Sequence, residues 1–102
     1  MAAEFDWDEG NRSKCRKLGV SAEEIESLFL GPVMVQPARS FAESRLQAIG
    51  KTPAGRHVFL VFTVREGEGK QYIRPISARY MHAKEIRHFA EKEAQETSGP
   101  QD

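Results

Sequence analysis

Apolar and polar positions change rhythm once along this chain, near Val33. Before that point the spacing is helical. In "SAEEIESLFLGP", Ile25, Leu28 and Phe29 fall at i, i+3 and i+4 and make one apolar face, Ser21 and Glu24 stand at capping-box spacing, and Gly31-Pro32 ends the segment. An earlier helix is predicted from Asp8 or Glu9 to about Lys17. Asp8 is its N-cap, Lys14, Arg16 and Lys17 sit near its C-terminal end, and Gly19 follows.

From Val33 onward the period is two. "VMVQ" reads as a short strand and "PARSFAE" as a connector. "SRLQAIGKT" reads as a second strand, with Leu46 and Ala48 opposite Arg45, Gln47 and Ile49, and "TPAG" turns the chain. "HVFLVFTVRE" is apolar at odd and even positions alike, the mark of a central strand covered on both faces. "EGEGK" is a hairpin loop into the return strand "QYIRPISARY". "MHAKEIRHFAEKEA" then follows as a helix with Ile86, Phe89 and Ala90 inward. The pattern predicts one α+β domain over residues 1–94, with two short N-terminal helices, about four antiparallel strands and a C-terminal helix. Residues 95–102, "QETSGPQD", are expected to be a disordered tail.

Pro75 interrupts the return strand. Because it has no N–H for the ladder, it requires an edge position or a bulge. Strict alternation would set Arg74 on the opposite face from Ser77 and Arg79, whereas one extra residue at a bulge shifts the parity and brings all three to one face. The irregularity is therefore expected.

At 102 residues the chain holds one core. No apolar run approaches the roughly 18 residues of a membrane span. The opening "MAAEFDWDEG" is acidic and lacks the basic and apolar regions of a secretory signal, so the expected location is the cytoplasm. Cys15 is the only cysteine, which excludes an internal disulfide and cysteine-pair zinc sites. His82 and His88 are six apart and fall on different helix faces, so neither a metal nor another cofactor is expected. Phe5 and Trp7 near the N-terminus read as the plug of a small core or, alternatively, as an anchor for a partner.

Charge adds what periodicity does not. Lys+Arg and Asp+Glu are 15 each, but they are not mixed evenly. Both ends are net acidic, while residues 51–90 carry eight basic and three acidic side chains. Within that region "IRPISARYMHAKEIRHF" gathers Arg74, Arg79, Lys84 and Arg87 beside Ser77, Tyr80, His82 and His88. Such a basic face suits an anionic polymer.

Four pieces together, "FDWDEGN", "KLGVSAEEIESLF", "ESRLQAIGKTPAGRHVFLVFTVRE" and "IRPISARYMHAKEIRHF", carry a resemblance to the BrnT family, ribonuclease toxins of bacterial type II toxin–antitoxin systems. The resemblance runs from Phe5 to about Phe89. It implies a RelE-like fold, RNA cleavage that inhibits translation, and a BrnA-like antitoxin with a ribbon-helix-helix part through which the complex represses its own promoter. Where members often have Lys-His-Gly-Val, this chain has Lys17-Leu18-Gly19-Val20. The absent imidazole keeps a second reading open: a non-catalytic binding protein that acts with its antitoxin as a transcriptional co-repressor.

Metal-independent cleavage needs a group to take the proton of the ribose 2′-OH, cations for the phosphate charge, and a proton for the leaving oxygen. Arg79 is the expected phosphate clamp and Arg74 its neighbour, since a guanidinium grips two oxygens in a fixed fork. Ser77 would orient the phosphate or the 2′-OH, and His82 would serve as acid or base. By the family's Lys-x-Gly-Val position, Lys17 joins the catalytic set, and Arg45, Tyr80, Arg65 and Lys84 are expected to contact the RNA. The bland alternatives are equally concrete. Arg79 would pair with Glu43 or Glu85, His82 would start a helix, and Lys17 would stabilise a helix C-terminus.

Overall fold

The structure is a computed structural model that describes residues 4–38 and 45–98, the stretch 92–98 in backbone only. Helix α1 spans Glu9–Arg16. Asp8 caps it, accepting from the Asn11 backbone N–H, while the Asn11 side chain accepts from the Asp8 N–H, each at 2.8 Å. Helix α2 spans Ala22–Leu28 behind the expected Ser21–Glu24 box, which closes with bonds of 3.0 and 3.1 Å. The two caps satisfy N-terminal donors that such short helices would otherwise leave bare.

Four strands follow: β1 (Val33–Pro37), β2 (Leu46–Lys51), β3 (His57–Gly67) and β4 (Lys70–Tyr80). They form one antiparallel sheet in sequence order. Most of the expected connector between β1 and β2, with Ser40, Glu43 and Ser44, lies outside the described residues. Helix α3 spans Ala83–Ser98, so its backbone continues past residue 94 into the segment expected as a tail, and 99–102 lie outside the described residues. The β3–β4 turn places Glu68 and Gly69 at φ 52° and 76°, the pair of positive values that a tight two-residue hairpin needs.

Alternation along the strands sorts the sheet into two faces. On the first, Val58, Leu60 and Phe62 of β3, Ala48 of β2 and Ala78 of β4 meet Cys15, Val20, Ile25 and Leu28 from α1, α2 and their link. Phe5 and Trp7 pack against this cluster, in line with the core reading, and Phe5 meets Phe29 edge-on at 5.6 Å. Each fully buried large side chain here contributes about 1.5–3 kcal/mol. Gly50 lets α2 come close, because a Cβ there would lie 3.3 Å from Leu28 Cδ2.

On the second face, Phe59 and Val61 of β3 lie beside Met34 of β1 and Ile49 of β2, and α3 leans over this side with Phe89 edge-on to His57 at 6.2 Å. β3 is therefore covered on both sides, as its doubly apolar pattern requires.

The β3–β4 ladder holds the expected irregularity. Phe62 faces Pro75 while Val61 faces Ser77, so Ile76 is an extra residue on β4. Beyond β4 the N-terminal segment adds a short parallel contact: Ile73 N–H donates to Glu4 O and Asp6 N–H to Ile73 O, both at 2.8 Å. Since the backbone groups of Ile73 point outward, those of Pro75, two residues on, do too. The missing donor of Pro75 is thus on the side away from β3, and its ring is buried.

Candidate functional site

The Ile76 bulge sets Arg74, Ser77 and Arg79 on the second sheet face, opposite Thr63, Val61 and Phe59 of β3 respectively. Along the strand Arg74 and Arg79 are separated by four regular steps, about 13 Å. Their side chains turn to opposite ends.

Arg74 reaches the N-terminal segment. Its Nη2 donates to Asp8 Oδ2 at 2.7 Å and its Nη1 to Asp6 Oδ2 at 3.4 Å, and Arg65 Nη1 meets the same Asp6 oxygen at 2.8 Å. Asp8 thus serves two elements, capping α1 with one oxygen and holding β4 with the other. The Asn11 N–H and then the Arg74 guanidinium lower its carboxyl below the usual range, and Asp8 in turn raises Arg74.

Arg79 is held at the other end. Its two terminal nitrogens donate to the two carboxylate oxygens of Glu85 at 2.8 and 2.7 Å, and its guanidinium stands 5.0 Å over the Phe59 ring. Glu85 also accepts the His82 backbone N–H at 2.9 Å, and the His82 carbonyl accepts from Ile86 at 2.9 Å, which puts His82 at the start of α3. The paired guanidinium, and secondly the His82 N–H, push the Glu85 carboxyl down to about 2. Arg79, Glu85 and His82 therefore form one cluster; Arg74, Arg65, Asp6 and Asp8 form another. Ser77 lies between them, its hydroxyl without a hydrogen-bond partner among the described residues.

The remaining candidates are dispersed. Tyr80 is on the first face: its hydroxyl donates to Glu24 Oε1 and Oε2 at 2.7 and 2.9 Å and lies 3.2 Å from Gly19 O, while Arg56 stacks on its ring at 3.5 Å. Lys17 is the C-cap of α1, on the side of the sheet away from Ser77 and Arg79, and the neighbouring Leu18 is 59% exposed. Arg45 precedes β2, its carbonyl accepting from Ala38 at 3.1 Å. Lys84 is exposed on the first turn of α3.

One feature escaped sequence reasoning: the N-terminal carboxylate pair Asp6 and Asp8 on Arg74, a contact across 66 and 68 residues that no local signal carries. Glu85 is one of the two partners the sequence offered to Arg79, and His82-x-x-Glu85 also has the spacing of an N-cap and a reciprocating Glu.

Among the described residues no three His, Cys, Asp or Glu side chains gather as metal ligands, and no helix is long and apolar enough to cross a membrane. Chemically, the face offers guanidinium forks, a hydroxyl and an imidazole, a set suited to holding phosphate oxygens and moving protons. A family model described as the ribonuclease toxin BrnT of type II toxin–antitoxin systems matches residues 7–85, from Trp7 through the first turn of α3. No curated protein matches the chain.

Proposed function

The chain belongs to the BrnT family, ribonuclease toxins of type II toxin–antitoxin systems, and from that membership we propose a bacterial, cytoplasmic endoribonuclease of RelE-like fold that cleaves RNA without a metal ion. The observation that carries this reading is the β4 register, in which Ile76 bulges and Arg74, Ser77 and Arg79 share one face next to His82. In the reaction the 2′-oxygen attacks the adjacent phosphorus. His82 takes its proton, Arg79 holds two phosphate oxygens as charge develops, Ser77 orients the reacting group, and the 5′-oxygen leaves with a proton drawn from solvent water. The products are a 2′,3′-cyclic phosphate and a 5′-hydroxyl.

Family membership implies an antitoxin partner. We assign it as BrnA-like, with a ribbon-helix-helix part that contacts promoter DNA and an acidic or apolar segment that covers Arg74 and Arg79 and excludes RNA.

One observation favours a second reading, the non-catalytic co-repressor. Both guanidiniums at the ends of the face are already matched by the chain's own carboxylates, Arg74 by Asp8 and Arg79 by Glu85. Inducing the native chain beside Arg79→Ala at equal level, with growth and total RNA followed, separates the two. Growth arrest and RNA breakdown in the native chain alone support the nuclease; intact RNA and normal growth in both support the co-repressor.

A further inference from the structure

Arg79 meets Glu85 in the same two-pronged geometry in which a guanidinium meets two oxygens of a phosphate. We propose that Glu85 is an intramolecular placeholder for the RNA phosphate: α3 keeps the Arg79 clamp closed, and RNA binds by displacing the Glu85 carboxylate. This rests on the reading of Arg79 as the phosphate clamp and adds the residue that governs access to it.

The attachment of α3 fits such a role. Up to Met81 the chain is tied to the sheet by its backbone, through Met81 N–H to His57 O at 3.0 Å. Beyond His82, among the described side chains, α3 is held by Glu85 on Arg79 and by Phe89 against His57. Between helix and sheet runs an open groove of about 450 Å³, with Met34, Ile49 and Phe59 on its floor and Met81 and Phe89 on its helix wall. A helix seated over a groove, and not in a filled core, moves away from the sheet without opening a packed interior.

Charge argues the same way. With its carboxyl pushed down to about 2, Glu85 stays ionised at every pH at which a cell lives, so no protonation releases Arg79. It is equally unfit as the base for a 2′-OH. What remains is competition by another anion. The pair is 36% exposed on both sides, which limits its strength to that of a screened surface contact and leaves it open to displacement by a polyanion.

The test is binding of a short 2′-O-methylated RNA, which has no 2′-OH and is not cleaved, to the native chain, Glu85→Gln, Glu85→Ala, Arg79→Ala and the Arg79→Ala/Glu85→Gln double variant, followed by fluorescence anisotropy. Glutamine keeps an acceptor for the His82 N–H while removing the charge, and alanine guards against a new contact made by the amide. The expected result is binding tightened roughly threefold to tenfold in both Glu85 variants, a loss of that gain in the double variant, and weaker binding in Arg79→Ala than in the native chain. Weaker binding in Arg79→Ala with no tightening in either Glu85 variant overturns the placeholder and leaves the clamp standing. Unchanged binding in Arg79→Ala and in the double variant relative to Glu85→Gln overturns the clamp, and the placeholder with it.

Discussion

The hydroxyl of Tyr80, the last residue of β4, donates to both carboxylate oxygens of Glu24 at 2.7 and 2.9 Å. Glu24 is already the reciprocating residue of the α2 capping box, so a single carboxylate ties the start of α2 to the end of the sheet. The bond to Tyr80, ahead of the Ser21 N–H, holds Glu24 below the usual carboxylate range, and Glu24 raises the Tyr80 phenol. Tyr80→Phe keeps the ring under Arg56 and removes only the hydroxyl, with its contacts to Glu24 and to Gly19 O. It is expected to cost about 1–2 kcal/mol in urea melts. Because Tyr80 lies on the face away from Arg79, RNA cleavage by the folded variant is expected to equal that of the native chain. A cleavage rate that falls tenfold at unchanged stability would return Tyr80 to the RNA-binding set.

The bulge on β4 makes a sharper prediction about register. Phe62 already faces Pro75 and Val61 already faces Ser77, so removing Ile76 leaves both pairs in place and makes the ladder regular. The shortened chain is expected to unfold cooperatively, with a stability loss of under about 3 kcal/mol. Deleting Ala48 is the contrast. In the unbulged β2 a missing residue turns either Leu46 or Gly50 to the wrong face, and Gly50 is the position that lets α2 approach. No cooperative transition is expected for that variant, and urea melts of the two deletions side by side decide the matter.

The architecture was readable where short-range rules decide. Both N-caps, the change of period near Val33 and the double apolarity of β3 each name one element and one role, and all recur in the fold. Even the bulge was readable, because Pro75 cannot donate to a ladder. The partners of Arg74 were not. Asp6 and Asp8 come to Arg74 only because the N-terminal segment docks beside Ile73, and a one-residue parallel bridge has no sequence period. Likewise Tyr80 reads as part of a basic run, whereas alternation past the bulge sends it to the core face. A charge cluster in sequence is thus divided by the sheet into two faces, and on the face that carries Arg74 and Arg79 both guanidiniums are already paired.

Cys15 is predicted to be chemically silent in the folded chain. It is 1% exposed in the main core, and that burial pushes its thiol up to about 11. At pH 8 a maleimide is expected to leave the native protein unmodified by mass spectrometry, while the urea-unfolded chain is labelled fully. Labelling of the native protein on the unfolded chain's timescale would mean that α1 separates readily from the sheet.

The Arg79–Glu85 pair has a pH signature of its own. The folded carboxyl sits at about 2 against an ordinary 4.5, so the unfolded chain takes up the proton first as pH falls. The pair's contribution is therefore complete above about pH 4.5 and is lost as pH descends toward 2. Glu85→Gln has no carboxyl to titrate there. The native chain is expected to exceed the variant by under about 1 kcal/mol at pH 7, given the exposure of the pair, and this margin should shrink to nothing near pH 2. Other lowered carboxyls, Asp8 and Glu24, titrate in both proteins and cancel in the difference. Denaturant melts of the two proteins at pH 7, 4 and 2 measure it. A margin that persists unchanged at pH 2 would mean that the stabilisation does not come from the ionised carboxylate, and the hold of α3 on Arg79 would then not be electrostatic.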